Sequence, residues 1–153
     1  MKIAKWLLIY TLGVGAANAD TKFNYGDYEL GTELASCAAY IQLNKELLPV
    51  NDETLNARKY LDNLVMGWKM AAMTALLAEV STKDTAKVVT NSIMDSTTNK
   101  VLAQLDLISM KPKENAIREF KGLILEIQTE WDDCLRLNDD VERLQKIARV
   151  YFM

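Results

Sequence analysis

The fold is decided by residues 64–80, which read LVMGWKMAAMTALLAEV. As a helix this stretch would be apolar on nearly every side, since only Lys69, Thr74 and Glu79 interrupt it. A helix that is apolar all round is enclosed by other elements, whereas a surface helix has one apolar stripe. A membrane span is the alternative, but it needs about 20 apolar residues and would place Lys69 inside the bilayer. The stretch therefore predicts a central helix that other helices surround.

The N-terminus has the features of a secretory signal peptide. Lys2 and Lys5 give it a positive start, and residues 6–17 form a short apolar run. Residues 17–19, Ala-Asn-Ala, fit the small-x-small pattern of a cleavage site. We predict cleavage after Ala19. A retained membrane anchor is the alternative, although the run is shorter than an ordinary transmembrane helix.

Removal of residues 1–19 leaves residues 20–153 as a single domain that is long enough to bury a core. Without Lys2 and Lys5 the chain has 16 basic and 21 acidic residues, a net charge of −5. A nucleic-acid partner is not expected, because such affinity comes largely from neutralising phosphates. The expected location is the periplasm or the extracellular medium.

Apolar periodicity predicts a first helix from Tyr28 to about Leu47, ending before Pro49 because a residue that precedes proline avoids the helical region. Asn51 is an expected N-cap for a second helix that runs to about Val80. The side chains expected to face inward from the first helix recur at spacings of three, four and seven: Leu30, Leu34, Cys37, Ile41 and Leu48.

A third helix is predicted from near Asp84, in capping-box register with Ser81, to about Ser109. Its middle, residues 90–99, is rich in Ser, Thr and Asn, which compete for backbone hydrogen bonds and predict a kink or a mobile segment. Pro112 suits the first turn of a fourth helix. The apolar side chains of that helix alternate at spacings of three and four: Ile117, Phe120, Ile124, Ile127, Trp131 and Cys134.

Residues 138–140, Asn-Asp-Asp, are typical of a cap that opens a short last helix. Its inward side chains would be Val141, Leu144, Ala148 and Tyr151. A single helix from Pro112 to the end is the alternative, but it would be roughly 60 Å long, so a break is favoured. Because no alternating β-branched run is present, the sequence predicts an all-α bundle of four long helices plus a short C-terminal helix.

Cys37 and Cys134 are the only cysteines, and in an exported protein an even count indicates a disulfide. Each is in phase with the inward face of its helix, so the bond would join the first helix to the fourth. A loop of roughly 100 residues would contribute about 4–5 kcal/mol in the chain-entropy model. An intermolecular bond is the alternative. A redox-active pair is not expected, because such cysteines usually lie close together in sequence.

The chain has no histidine, which removes the commonest general base, most zinc sites and the usual haem ligand. Met66, Met70 and Met73 share a helix face and thioethers bind Cu(I), but methionine is also a flexible core filler. We therefore predict no metal, no cofactor and no enzymatic activity.

Carboxylates crowd the C-terminal third of the chain, where they are the best sequence candidate for a binding face. They are Glu126, Glu130, Asp132, Asp133, Asp139, Asp140 and Glu142. No Asp-x-Asp-x-Asp-Gly calcium loop is present among them.

Three functions remain open. The first is protein–protein interaction, as an inhibitor, an immunity protein or an adaptor, with another exported protein that presents a basic surface. The second is a carrier of a small apolar ligand or lipid, with a cavity beside Met66, Met70 and Met73. The third is a hydrolase that uses carboxylates alone, which would need two acids in one pocket. The sequence does not indicate the oligomeric state.

Overall fold

The computed structural model describes residues 27–152, so the predicted signal peptide and its cleavage site lie outside the described residues. The helices are α1 (Tyr28–Leu47), α2 (Leu55–Leu76), α3 (Lys83–Ser109), α4 (Lys113–Cys134) and α5 (Asn138–Phe152). No strand occurs within this range. The predicted all-α architecture of four long helices plus a shorter C-terminal one is confirmed.

Both ends of α1 follow from local chemistry. The side chain of Asp27 caps the start, where its Oδ1 accepts a hydrogen bond of 2.7 Å from the Leu30 N–H. At the other end Leu48 turns extended, with ψ at 132°, because it precedes Pro49. The predicted limits of this helix are confirmed.

Arg58 of α2 closes the C-terminus of α1. Its Nη1 donates to the carbonyl oxygens of Lys45 and Leu48, at 2.8 Å each, and so satisfies carbonyl groups that the end of a helix leaves free. Beside it, Lys45 Nζ donates to Asp62 Oδ1 at 2.8 Å, and this hydrogen bond raises the pKa of Lys45. These contacts join the first helical hairpin at its loop end.

Residues 64–80 were predicted to form the central helix, but the helix at the centre of the bundle is α1. α1 contacts α2, α3 and α4 and buries residues from Leu30 to Leu43, whereas α2 contacts α1, α3 and α5 but buries residues only from Trp68 onward. α2 is enclosed only in its C-terminal half, where Trp68 is 2% exposed, whereas Met66 is 60% exposed. The prediction of a fully surrounded helix is therefore wrong for residues 64–67. The physical reason is the small size of the side chains that α1 buries, which allows its neighbours to pack close around it: Gly31, Ala35, Ala38 and Ala39.

The boundaries of α2 and α3 differ slightly from prediction. Asn51 does accept a hydrogen bond, from the Thr54 N–H at 3.0 Å, but this closes a turn before α2 proper begins at Leu55. At α3 the cap is Thr82 rather than Ser81. The backbone of Thr82 is extended and its Oγ1 accepts from the Thr85 N–H at 3.1 Å.

α3 runs through residues 90–99 as an unbroken helix. Thr90 Oγ1 donates to the Ala86 carbonyl oxygen at 2.8 Å, and Thr97 Oγ1 donates to that of Ile93 at 3.0 Å. These hydroxyl groups add a second bond to carbonyls of the preceding turn instead of replacing the helical bonds. The helix is not broken at these residues, and the predicted kink or mobile segment stays a prediction.

The predicted break before the last helix is confirmed. A 3₁₀ turn at Leu135–Leu137 separates α4 from α5, so the alternative of one continuous helix does not apply. The turn buries Leu137 and directs Val141 and Leu144 into the same core. Ala148 is fully buried, while the side chain of Tyr151 lies outside the described side chains.

The sulfurs of Cys37 and Cys134 lie 1.97 Å apart, and their Cα atoms are 5.8 Å apart. The predicted link between the first and fourth helices is thus present in the fold. Next to it, the rings of Trp68 and Trp131 meet edge to face with their centroids 5.4 Å apart. Of the helices described between residues 27 and 152, none is long and apolar enough to cross a membrane.

Candidate interaction surface

The end of the α3–α4 hairpin extends past the C-terminal end of α1. Leu43 of α1, Val101 of α3 and Leu123 of α4 belong to one small core, against which Leu105 and Ile108 of α3 also pack. From that level α1 continues for roughly 6 Å to Leu47, whereas α3 and α4 extend for roughly 12 and 15 Å. We call residues 102–125 the projecting hairpin.

The projecting hairpin exposes large apolar side chains. Leu107, Met110 and Leu125 are 62%, 80% and 64% exposed. Three further residues are more than two-fifths exposed: Leu102, Ile117 and Phe120. Because exposed apolar side chains gathered in one region mark interaction surfaces more often than scattered ones do, this hairpin is the strongest candidate site among the described residues.

A groove of about 480 Å³ runs between the two helices of the hairpin. Its floor is apolar and its rim is charged, and the lining residues are Gln104, Leu107, Ile108, Lys111, Arg118, Glu119, Gly122, Leu123 and Glu126. Lys111 Nζ contacts both Glu119 carboxylate oxygens, at 2.6 and 2.8 Å, and so joins the turn between the two helices to α4.

Two glutamates of α4 act on Tyr40 of α1: Glu126, which lines this groove, and Glu130, which lies one turn further along. Burial raises the pKa of the Tyr40 hydroxyl, and repulsion from Glu130 and Glu126 raises it further. Since both glutamates are exposed on α4, the acidic face predicted from the sequence begins where the apolar hairpin ends.

The other predicted acidic residues divide into two groups. Asp132, Asp133, Asp139 and Glu142 are exposed. Asp140 is only 9% exposed, and its Oδ1 accepts from Arg143 Nη2 at 2.8 Å. Asp140 is therefore a structural residue of α5 and not part of the predicted binding face.

A second groove, of about 350 Å³, lies between α2 and α5. It is lined by Tyr60, Asn63, Leu64, Met66, Gly67, Met70, Gln145 and Arg149. Two of the three methionines singled out from the sequence are here. The third, Met73, packs instead against the cluster of Leu76, Leu77 and Ala86.

The described residues bring no three carboxylate or cysteine side chains together in a group that could hold a metal ion. The two buried carboxylates of this range, Asp27 and Asp140, are on different elements, and each is occupied by a bond that stabilises a helix. In the hairpin groove Glu119 is paired with Lys111.

The sequence did not indicate the projecting hairpin. Ile117 and Phe120 were expected to face inward, and they share the face of α4 that carries Ile127 and Cys134, but they are 48% and 41% exposed. Periodicity shows which residues share a face, not whether another helix covers it. The predicted lengths contained a signal, because the third helix was expected to be longer than the first.

Comparisons with protein-family models, with curated proteins and with solved structures give no match for this chain.

Proposed function

We propose that this protein is an exported, non-enzymatic interaction module, an inhibitor, an immunity protein or an adaptor, that binds another exported protein through its projecting hairpin. The observation that carries the proposal is the exposed apolar surface of that hairpin, on helices that extend past α1. Such surface costs free energy in water, and burying it against a partner recovers about 25 cal/mol per Å². Export is supported by the pattern of residues 1–19 and by the paired cysteines.

The charge around the hairpin determines what kind of partner fits. Glu126 lines the hairpin groove and Glu130 follows one turn further along α4, while residues 102–125 themselves carry four basic and three acidic side chains on a mature chain whose net charge would be −5. A partner with an apolar patch that is bordered by Lys or Arg would complement both features. Opposite charges at the rim of an interface mainly accelerate association and set its salt dependence.

The test uses the oxidised chain, residues 20–153, as bait in an extract of its own compartment. We expect a stoichiometric partner that is retained by the wild type and lost with the double variant Leu107→Ser/Met110→Ser. When the complex is purified, the double variant should bind the partner with an affinity lower by about tenfold or more, the size of effect seen when interface hot spots are removed. A further variant, Glu126→Gln/Glu130→Gln, should slow association and reduce its dependence on salt.

The matched control is Val50→Ser/Val150→Ser, which also replaces two well-exposed apolar residues, at 85% and 75% exposure, but outside the hairpin. This variant should retain the partner at full affinity. If both double variants bind equally well, the hairpin is not the interface. If neither the wild type nor the control retains a partner, the interaction proposal is overturned.

The alternative function is a carrier of a small apolar ligand or lipid held between helices. One specific observation favours it, the groove that Met66 and Met70 line between α2 and α5. It would be tested by native mass spectrometry of the purified chain, which should show a co-purified ligand.

A further inference from the structure

The groove between α2 and α5 has a regular construction. Tyr60, Asn63, Gly67 and Met70 follow one another at spacings of three and four along α2, so they form one face of that helix. This face is roughly 15 Å long, the rise of ten helical residues. The opposite wall is α5, which contributes Gln145 and Arg149.

Gly67 allows the two walls to lie close together. A Cβ atom at this position would collide with the end of the Gln145 side chain. Because glycine leaves this space free, the amide of Gln145 lies against the backbone of α2, and the groove keeps a polar group at its centre. Its apolar part is made by the side chains of Leu64, Met66 and Met70.

The charge that lines the groove is positive. Arg149 is the only charged residue in the lining, and no acidic side chain lines the groove. Within residues 27–150 the guanidinium of Arg149 makes no ion pair. Amide and hydroxyl groups that can donate hydrogen bonds accompany it: Tyr60, Asn63 and Gln145. On a chain of net negative charge, this is a cationic, donor-rich position beside exposed methionines.

We propose that this groove binds one small amphiphile, a single-chain carboxylate of the fatty-acid type. Arg149 pairs with its carboxylate, since a guanidinium matches a carboxylate in two parallel hydrogen bonds. The chain lies over Met66 and Met70, whose flexible thioethers adapt to apolar ligands of varied shape. The volume of about 350 Å³ is at the lower end of the range for ligand pockets.

This proposal rests on the carrier alternative. It is independent of the projecting hairpin, which is formed by α3 and α4. The occupant is a free monomeric ligand rather than a membrane surface. The groove is a slot between two helices, and Arg149, an exposed residue of α5, is the one cation that lines it.

The experiment titrates the oxidised chain, residues 20–153, with dodecanoate labelled at its carboxyl carbon. Binding is followed by calorimetry and by the chemical shift of that carbon. We expect one molecule per chain. Dodecanol should bind about tenfold more weakly, because the charge-assisted hydrogen bonds are absent.

Arg149→Gln should reduce the affinity for dodecanoate by about tenfold and leave that for dodecanol unchanged. Its matched control is Lys146→Gln, which removes one positive charge from the exposed surface of the same helix without touching the groove. Met70→Gln makes the apolar part of the groove polar and should weaken both ligands.

Several outcomes would overturn the proposal. One is no binding up to the solubility limit of dodecanoate, and another is equal weakening by Arg149→Gln and Lys146→Gln. Equal binding of dodecyltrimethylammonium would show that the carboxylate is not recognised. Sedimentation with phosphatidylglycerol vesicles that is lost in Arg149→Gln would assign the surface to a membrane instead. None of these results bears on the interaction of the hairpin with a protein.

Discussion

At Gly31 the backbone of α1 lies so close to α2 that there is no room for a Cβ atom. A Cβ atom there would lie 2.5 Å from Leu76 Cγ, 2.8 Å from its Cδ2 and 3.2 Å from its backbone nitrogen. Since the backbone of Leu76 is one of these neighbours, rotation of a side chain cannot remove the whole conflict. We expect Gly31→Ala to lower the free energy of unfolding by about 1–2 kcal/mol, as overpacked cores do.

Gly122 is the matched control, because a Cβ atom added there meets nothing within 4 Å. Gly122→Ala should raise the free energy of unfolding by about 0.5–1 kcal/mol, the usual gain in helix propensity. Urea denaturation measures both variants. Adding Leu76→Ala should reduce the cost of Gly31→Ala, and a cost that does not change would assign the effect to something other than this contact.

At the scale of the element, α1 depends on its N-cap. Burial raises the pKa of Asp27 above its ordinary value of 3.8, and this effect outweighs the hydrogen bond from the Leu30 N–H, which lowers it. Because the folded state binds the proton more tightly than the unfolded state, this carboxyl group favours folding less as pH rises through its folded pKa. The cap bond itself remains favourable.

Asp27→Asn keeps an N-cap of similar strength and removes the titration, whereas Asp27→Ala removes the cap. At about pH 7 we expect Asn to equal or exceed the wild type in stability and Ala to lose about 1 kcal/mol. Between about pH 7 and about pH 3 the wild type should gain stability relative to the Asn variant. Urea denaturation across this range, with all three proteins in the same buffers, measures these differences. A relative stability that stays constant with pH would show that the pKa of Asp27 is not raised.

Across the whole molecule, the pair Cys37–Cys134 fixes α4 to the bundle. α4 packs mainly against α1 and α3 and meets α2 at the Trp68–Trp131 contact, and these cysteines form its covalent cross-link to α1. We expect Cys37→Ala/Cys134→Ala to lower the free energy of unfolding by about 2–5 kcal/mol, as loss of a native disulfide does. Reduction of the wild type should have a similar effect.

The tryptophan pair gives an independent measurement of that link, because Trp68 and Trp131 lie on α2 and α4. Their near-ultraviolet circular dichroism should weaken in the double variant before helical content is lost. If oxidised and reduced protein unfold at the same urea concentration, the disulfide does not stabilise this fold.

The sequence predicted most of the secondary structure because the signals for it are local. Pro49 ends α1 whatever packs around it, Asp139 and its neighbours mark a helix start, and the phase of Cys37 and Cys134 placed both on inward faces. The error at Ser81 is also local, because the Thr82 hydroxyl accepts a hydrogen bond from a free N–H of the first turn, which composition alone does not specify.

What the sequence by itself determined is therefore the all-α class, the number of helices, the break before the last one and the pairing of the cysteines. Only the tertiary structure decided that α1 takes the centre, that the α3–α4 hairpin projects uncovered, and that Met66 and Met70 form a groove with Arg149. Periodicity assigns each residue to a face of its own helix, whereas burial depends on how far neighbouring helices extend and how closely small residues let them approach. Those are properties of the assembled bundle.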